Sequence, residues 1–270
     1  MKKLYFLGPN GTYSELGANK IAQVLDEKVE LVPISTITKI VELLEKTDNY
    51  GILPVENSIE GIVRPTIDSL LEADVKIHAQ LEIEIKHCLF SRGKKEDVKH
   101  IISHPQALAQ CSKYILINFD EKIDLIETKS TAAAAEDLLK NDISYAAISS
   151  FDIGNKLGYN LLDANIGNIK DNKTRFVLVS KNKINLGVKN RTSIVFNTKN
   201  KPGALLEVLE IFKKYNLNLI YLESRPSKKI FGEYNFFADI DRGADDITFA
   251  LEEVKKACEF FKFLGSYPSV

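Results

Sequence analysis

Asp171-Asn172-Lys173-Thr174-Arg175-Phe176-Val177-Leu178-Val179-Ser180 is the stretch around which the rest of the chain is arranged. Its second half is apolar and rich in β-branched residues, which predicts a buried strand. The polar residues before it predict a turn. The hydroxyl of Thr174 and the guanidinium of Arg175 therefore stand where a loop enters a rigid strand, a suitable place to hold reactive groups. If both residues lie within the strand, their side chains point to opposite faces of the sheet.

The composition limits the class of protein. At 270 residues the chain exceeds one typical domain, so two domains are expected. A net charge of −1 gives no basic excess for nucleic acid or an anionic membrane, and we expect neither as a partner. The three cysteines are far apart and form no C-x-x-C pair, which indicates buried thiols in a reducing compartment. Without a signal-peptide core or an apolar run of about 18 residues, the sequence predicts a cytoplasmic protein.

The first part of the chain alternates strands with helices. Apolar runs predict strands at residues 3–7, 29–34 and 50–55. A βαβαβ order of this kind indicates a doubly wound α/β sheet, which binds ligands beyond the carboxyl ends of its strands. Two polar loops occupy that position, at residues 8–14 and 55–61. Within the first loop, Thr12 and Glu15 have the spacing of a capping box at a helix start.

A second α/β unit predicts a second lobe. The strict alternation of residues 75–85 indicates a long half-exposed strand that leaves one lobe and enters another. We expect a first lobe of about residues 1–80 and 160–182, and a second lobe of about residues 81–159. Two lobes whose strand ends face each other enclose a central cleft, as in binding proteins of the periplasmic type.

Strand ends and helix starts of the second lobe carry polar side chains. These side chains, which would face the cleft, are Ser103, Gln106, Ser130 and Thr131. Between the first two strands of this lobe, a single helix is predicted at residues 107–117. The four histidines have no carboxylate or cysteine companions at ligand spacing, so no metal site is predicted.

Five motifs stand in order along the chain. They are Gly8-Pro9-Asn10-Gly11-Thr12-Tyr13-Ser14, Pro54-Val55-Glu56-Asn57-Ser58-Ile59-Glu60-Gly61, Ser103-His104-Pro105-Gln106, Ser130-Thr131-Ala132 and Thr174-Arg175-Phe176. Together they resemble the successive motifs of the prephenate dehydratase family, and five in order are far more specific than any one. The resemblance implies a catalytic domain over residues 1–182 and a lyase that needs no cofactor. The implied reaction converts prephenate to phenylpyruvate, carbon dioxide and water.

The residue types in these motifs suit that chemistry. Prephenate carries two carboxylates and a ring hydroxyl, so the enzyme must hold two anionic groups and assist departure of the hydroxyl. By the resemblance, Thr174 is the catalytic group, which donates a hydrogen bond to the leaving hydroxyl, and Arg175 lies near a carboxylate. The residues implied to bind the substrate are Thr12, Asn57, Ser58, Ser103, Gln106, Gln110, Ser130, Thr131, Arg175 and Phe176.

A polar linker at residues 181–191 precedes a second domain, at residues 190–270. Its predicted elements follow the βαββαβ order of ferredoxin-like domains, with the second helix at residues 245–261. Two of its motifs, Lys201-Pro202-Gly203-Ala204-Leu205-Leu206 and Glu223-Ser224-Arg225-Pro226, resemble the effector motifs of the ACT regulatory domain.

The second resemblance implies feedback regulation by phenylalanine, bound between domains of two subunits. It also implies a homodimer or homotetramer that assembles through the ACT domain. Feedback requires this domain to favour different arrangements with and without the effector. The implied effector residues are Pro202, Gly203, Ala204, Leu205, Leu206, Glu223, Ser224, Arg225 and Pro226.

Other functions remain open at this point. Since the first strand begins at about residue 4, we expect no chorismate mutase segment before it and a monofunctional enzyme. Arogenate dehydratase, whose substrate has an amino group in place of the side-chain ketone, is a close alternative. A non-catalytic two-lobed binding protein with an attached amino-acid sensor is an alternative of another class, and the Thr174-Arg175-Phe176 motif argues against it.

Overall fold

The computed structural model describes residues 1–227 and 233–270. The first lobe is built on a six-stranded sheet in which β4 joins the edge of β3 and the other strands follow the order β2-β1-β3-β11-β5. The strands are β1 (Lys2–Leu7), β2 (Val29–Ile34), β3 (Tyr50–Asn57), β4 (Gly61–Ile62), β5 (Lys76–Glu84) and β11 (Lys173–Ser180). The helices are α1 (Tyr13–Val24), α2 (Ile37–Lys46) and α3 (Arg64–Glu72).

Both faces of this sheet are covered. β1, β2 and β3 run parallel, while β11 runs antiparallel to its two neighbours, β3 and β5. One face packs its apolar side chains against α1, and the other packs against α2 and α3. β3 and β11 lie in the middle of the sheet, which explains why their sequences are almost continuously apolar.

The start of α1 differs in detail from the predicted capping box. The Thr12 hydroxyl donates to the Pro9 carbonyl at 3.0 Å, and the Glu15 carboxylate accepts from the backbone N–H of Gly11. Gly11 has a positive φ of 83°, which turns its N–H towards the helix. The helix therefore begins where expected but is capped by different contacts.

The second lobe contains a five-stranded sheet in the order β10-β6-β9-β7-β8. Its strands are β6 (His87–Ser91), β7 (His100–Ser103), β8 (Asp124–Glu127), β9 (Tyr145–Ser150) and β10 (Asn160–Asp163). Its helices are α4 (Pro105–Gln110), α5 (Ser112–Asn118), α6 (Thr131–Asp137) and α7 (Phe151–Lys156), and short 3-10 turns cover Lys95–Asp97 and Leu138–Lys140.

Two expectations for this lobe need correction. β10 pairs with β6 and belongs to the second lobe, so the chain returns to the first lobe only with β11. The helix predicted at residues 107–117 is two helices, because Cys111 leaves helical geometry with φ −110° and ψ 7°. Cys111 is fully buried in the apolar core of the lobe, so tertiary packing there overrides the local helical pattern.

The C-terminal domain has the expected element order. It comprises β12 (Arg191–Asn197), α8 (Ala204–Lys214), β13 (Leu219–Pro226), β14 (Tyr234–Ile240), a 3-10 turn (Ala244–Asp246), α9 (Thr248–Ala257) and β15 (Phe261–Tyr267). The sheet order is β13-β14-β12-β15, and one face packs against α8 and α9. The second helix ends at Ala257, earlier than predicted, because β15 begins at Phe261.

The other face of this sheet packs on the first lobe. Leu264 and Tyr267 of β15 are fully buried in the same apolar cluster as Val177 and Val179 of β11. The chain end adds to the edge of β5, where the Gln80 N–H donates to the Pro268 carbonyl at 3.0 Å. The two domains therefore share one continuous core. Among the described residues, no helix is long and apolar enough to cross a membrane.

Candidate active site

A cleft of about 370 Å³ lies between the two lobes, at the carboxyl ends of β1, β3 and β7. Its walls combine hydroxyl, amide and imidazole groups with a few apolar side chains. Eight of the predicted residues line it: Thr12, Asn57, Gln106, Gln110, Ser130, Thr131, Thr174 and Phe176. The cleft is thus the place where the predicted substrate-binding loops meet.

The hydrogen bonds of Asn57 show that the Thr174 hydroxyl oxygen is an acceptor in their contact. The Asn57 side-chain oxygen accepts from the backbone N–H groups of Ile59 and Glu60, both at 3.0 Å. Its Nδ2 must therefore face Thr174, to whose Oγ1 it donates at 3.0 Å. Because Thr174 Oγ1 accepts this bond, its own hydrogen is available to a ligand in the cleft.

A chain of buried polar side chains holds Asn57 in place. Asn57 Nδ2 lies 2.8 Å from Asn172 Oδ1, and Asn172 Nδ2 donates to Gln110 Oε1 at 3.1 Å. Gln110 Oε1 also lies 3.0 Å from Nε2 of His87, and Gln110 Nε2 donates to a Glu60 carboxylate oxygen at 3.0 Å. Since Gln110 Oε1 can only accept, Nε2 of His87 carries the ring hydrogen. Such connected networks hold reactive groups in one geometry.

Three predicted residues lie outside the cleft, which corrects those expectations. Ser103 is fully buried, and its hydroxyl donates to the Ile148 carbonyl at 2.7 Å, so it braces β7 against β9. The Ser58 hydroxyl accepts from the Lys173 N–H at 3.0 Å and braces the start of β11. Arg175 points to the opposite face of the sheet from Thr174, as strand alternation requires, and cannot reach a substrate carboxylate in the cleft.

Some residues that line the cleft were not predicted. Lys129 lies beside the Ser130 cap of α6, and it is the one lysine or arginine in the cleft wall of the described chain. Asn172 and His87 also line the cleft, and each is hydrogen-bonded to Gln110. Asn172 belongs to the polar turn that was predicted before β11, so the sequence did contain a signal for this residue. The positions of His87 and Lys129 depend on packing between distant segments.

The pH dependence of stability tests the buried state of His87. Burial lowers the pKa of His87, although its hydrogen bond to Gln110 acts in the opposite direction. The unfolded chain binds a proton at pH below about 6.5, so stability falls as the pH drops through this value. Above it, His87 contributes no pH dependence. We expect His87→Gln to reduce the slope of unfolding free energy against pH between pH 7 and 5, by up to about 1.4 kcal/mol per unit.

Urea unfolding of both proteins at several pH values measures this slope. The pKa of buried His78 is also lowered by burial, so the variant should keep part of the slope. Identical slopes in the wild type and the variant would contradict a buried, neutral His87.

The predicted effector motifs lie apart within one subunit. Residues 201 and 203–206 line a pocket of about 250 Å³ together with Tyr234 and Phe236. Gly203 is the N-cap residue of α8 and has a φ of 81°. The second motif faces the first lobe instead, since Arg225 Nη2 pairs with an Asp68 carboxylate oxygen of α3 at 3.3 Å. Pro202, Glu223, Ser224 and Pro226 do not line the pocket at Gly203.

Comparison with known proteins gives a consistent result. Residues 4–184 match the family model for prephenate dehydratase, and residues 192–259 match that for the ACT domain. A prephenate dehydratase from Methanocaldococcus jannaschii is 38% identical over 274 residues, covering 99% of this chain and 98% of the relative. A bifunctional chorismate mutase/prephenate dehydratase from Aquifex aeolicus is also 38% identical, over 98% of this chain and 73% of its own length.

The fold agrees with that of a solved structure. The prephenate dehydratase of Arthrobacter aurescens, solved in complex with L-Phe, is 31% identical and superposes with a TM-score of 0.87, covering 98% of this chain and 89% of that chain. The chain therefore belongs to the prephenate dehydratase family of lyases and carries a C-terminal ACT domain.

Proposed function

We propose that the cleft converts prephenate to phenylpyruvate, carbon dioxide and water, as a step of phenylalanine biosynthesis. The observation that carries this proposal is the direction of the hydrogen bonds at Thr174. Asn57 donates to its oxygen at 3.0 Å, so the hydroxyl hydrogen is left to donate to a leaving group in the cleft.

The reaction needs groups of this kind. The ring carboxylate leaves as carbon dioxide and its electron pair enters the ring. The ring hydroxyl leaves with its bonding pair, stabilised by the Thr174 hydrogen bond, and takes one proton from solvent to become water. Negative charge develops on the departing oxygen, where a fixed hydrogen-bond donor stabilises the transition state more than the substrate. Asn57 donates to Thr174 Oγ1, and Asn172 and Gln110 in turn hold Asn57 in place.

The two substrate carboxylates require partners on the cleft wall. Lys129 supplies a positive charge, and the hydroxyl of Thr131 and the side chain of Gln106 supply hydrogen-bond donors beside it. We assign Lys129 to the carboxylate that remains in the product, because that charge persists through the reaction.

Replacing Lys129 by alanine tests this assignment. We expect KM for prephenate to rise about tenfold, equivalent to about 1.4 kcal/mol, while kcat changes little, because the lost contact is made equally in substrate and transition state. Steady-state kinetics measures both constants. Lys122→Ala, an exposed lysine in the same lobe outside the cleft wall, is the matched control and should leave KM unchanged. A fall in kcat with KM unchanged would contradict the assignment.

The proposed activity is tested with the full-length protein. Purified protein receives prephenate, and separately arogenate, without added metal or nucleotide, and phenylpyruvate or phenylalanine is quantified. Turnover of prephenate supports the proposal, whereas turnover of arogenate alone favours arogenate dehydratase. If the protein turns over neither substrate but binds phenylalanine tightly, the alternative of a non-catalytic binding protein is favoured.

The C-terminal domain is proposed to sense phenylalanine as a feedback inhibitor. The pocket at Gly203 offers the backbone N–H groups of the first turn of α8 to a carboxylate, with Tyr234 and Phe236 nearby for an aromatic ring. Phenylalanine is expected to lower prephenate turnover in the same assay. If phenylalanine does not change the rate of prephenate turnover, the proposed regulatory role is contradicted, while the proposed lyase activity is unaffected.

The C-terminal domain is also proposed to join subunits in a homodimer or homotetramer. β13 is an edge strand whose Ile220 and Leu222 are 40% and 39% exposed, which is unusual for an uncovered strand edge. Light scattering on the purified protein measures the assembly, and a monomer at all concentrations would contradict it. Cys88 and Cys111 are buried free thiols, as expected, whereas Cys258 is only partly buried. We propose that the protein works in the reducing cytoplasm.

A further inference from the structure

Two neighbouring rungs of the β3–β11 ladder face opposite sides of the sheet. On one rung Thr174 stands opposite Asn57, and this pair faces the cleft. On the next rung Arg175 stands opposite Glu56, and this pair faces the C-terminal domain. The register shifts directly after Arg175, so a β-bulge lies between this rung and the one that follows. Bulges beside active sites set the direction of nearby side chains.

The Arg175 side chain is buried, with only 7% of it exposed. Its Nη1 donates to Gln80 Oε1 at 3.3 Å, and its Nε donates to a Glu56 carboxylate oxygen at 3.3 Å. The same Gln80 oxygen accepts from Arg191 Nη1 at 2.7 Å, which adds a second positive charge nearby. A guanidinium in such surroundings requires a close negative charge.

The closest counter-charge comes from the C-terminal domain. An Asp239 carboxylate oxygen of β14 lies 2.6 Å from Arg175 Nη2, whereas Glu56 is 3.3 Å away and 31% exposed. Asp239 is fully buried, and its other oxygen accepts from the Ser193 hydroxyl, which also lies 2.5 Å from the Tyr267 hydroxyl. Within residues 1–227 and 233–270, Arg175 is the only ion-pair partner of Asp239.

We propose that Asp239 is a positioning residue for the reaction in the cleft: by pairing with Arg175 it holds the ladder rungs that place Asn57 and Thr174. The regulatory domain thus acts on the catalytic hydroxyl through one residue of β11. A change in the domain that withdraws Asp239 leaves Arg175 without its closest counter-charge. Arg175 then keeps only Glu56, at 3.3 Å, as a counter-charge and shifts towards that carboxylate or towards solvent, and the adjacent rung moves with it.

This inference rests on the proposed lyase function and extends its regulation. A domain arrangement that lacks the Arg175–Asp239 pair is a less active one, and phenylalanine inhibits by favouring it. Coupling of this kind is reciprocal, so substrate and phenylalanine oppose each other's binding.

Asp239→Asn in the full-length protein tests the inference, because it removes the charge with almost no change in shape. We expect kcat to fall tenfold to a hundredfold, since small displacements of reacting groups have effects of about that size, with KM within about threefold of the wild type. We also expect the variant to resemble the inhibited enzyme, so that phenylalanine still binds, by calorimetry, but lowers turnover by less than twofold. A purely structural role would not produce this split between binding and inhibition.

A double-mutant cycle covers the case in which the single variant is too unstable to purify. Arg175→Gln with Asp239→Asn leaves no unpaired buried charge between the two residues, so it is expected to fold. Because the two residues act as one unit, the double variant should lose no more kcat than either single variant. Losses that add would overturn the proposal.

Lys262→Met is the matched control for general loosening of the domain interface. Lys262 Nζ donates across the interface to the Leu71 and Ala73 carbonyls, at 2.7 and 2.6 Å, and neither of these bonds involves β11. This variant should keep kcat within about twofold. The proposal is overturned if Lys262→Met loses as much kcat as Asp239→Asn, or if Asp239→Asn behaves like the wild type. Absence of prephenate turnover in the wild type would instead refute the proposed function, and the inference with it.

Discussion

Thr174→Val is expected to lower kcat about a hundredfold to a thousandfold, the loss that follows removal of one preorganised hydrogen-bond donor at a developing negative charge. Valine keeps nearly the same volume and the β-branched shape that suits a strand, so the cleft wall keeps its form. KM should stay within about threefold, because the hydroxyl acts on the leaving group and not on a carboxylate. Thr174→Ser keeps the donor and should retain kcat within about tenfold of the wild type.

The fold should tolerate this change. The Asn57 amide that donates to Thr174 also lies 2.8 Å from Asn172 Oδ1 and 3.1 Å from the Lys173 carbonyl, so it is not left without an acceptor. Steady-state kinetics and thermal unfolding on the same preparations separate catalysis from stability. Thr47→Val removes a comparable hydrogen bond at the end of α2, far from the cleft, and should leave kcat unchanged. A Thr174→Val enzyme with kcat within fivefold of the wild type would remove Thr174 from the catalytic step.

Two expectations drawn from the sequence for Arg175 conflicted. Strand alternation puts Thr174 and Arg175 on opposite faces if both lie within β11, as they do, whereas the resemblance implied that Arg175 lies near a substrate carboxylate, and the structure does not place it in the cleft. Nothing local to Arg175 could indicate that Asp239, from another domain, covers that side. Ser103 is a second example. It lies at the end of β7, as predicted, but its hydroxyl donates to the Ile148 carbonyl and does not reach the cleft. Depth and partners depend on which distant segments pack together.

Local patterns were also overridden where segments meet. The capping-box spacing of Thr12 and Glu15 correctly marked a helix start, but the turn at Gly11 redirects both side chains to other backbone groups. The apolar periodicity of residues 107–117 gave no sign of the break at Cys111, which arises from packing inside the lobe. Both errors concern competition between local and tertiary contacts, which one segment alone does not reveal.

Gly265→Ala is expected to have the largest effect on stability. β15 crosses β5 so closely that a Cβ at Gly265 would lie 2.2 Å from the Ile77 carbonyl oxygen. The obstruction is backbone and not a flexible side chain, so one strand must move. Its neighbours resist this movement, because Leu264 and Tyr267 are fully buried in the core that the two domains share. We expect a loss of about 2–4 kcal/mol and a fall in Tm of roughly 5–10 °C.

The same substitution should also disturb catalysis from a distance. If β15 separates from β5, the regulatory domain shifts and Asp239 moves away from Arg175, so kcat should fall as it does in Asp239→Asn. The segment between β11 and β12 should at the same time become sensitive to limited proteolysis, because undocking exposes it. Gly167→Ala is the matched control, since its Cβ approaches nothing closer than 3.4 Å and its φ is not positive. A Gly265→Ala protein with wild-type Tm and wild-type proteolysis would show that the domains are not held together at this crossing, and its kcat would then have no reason to change.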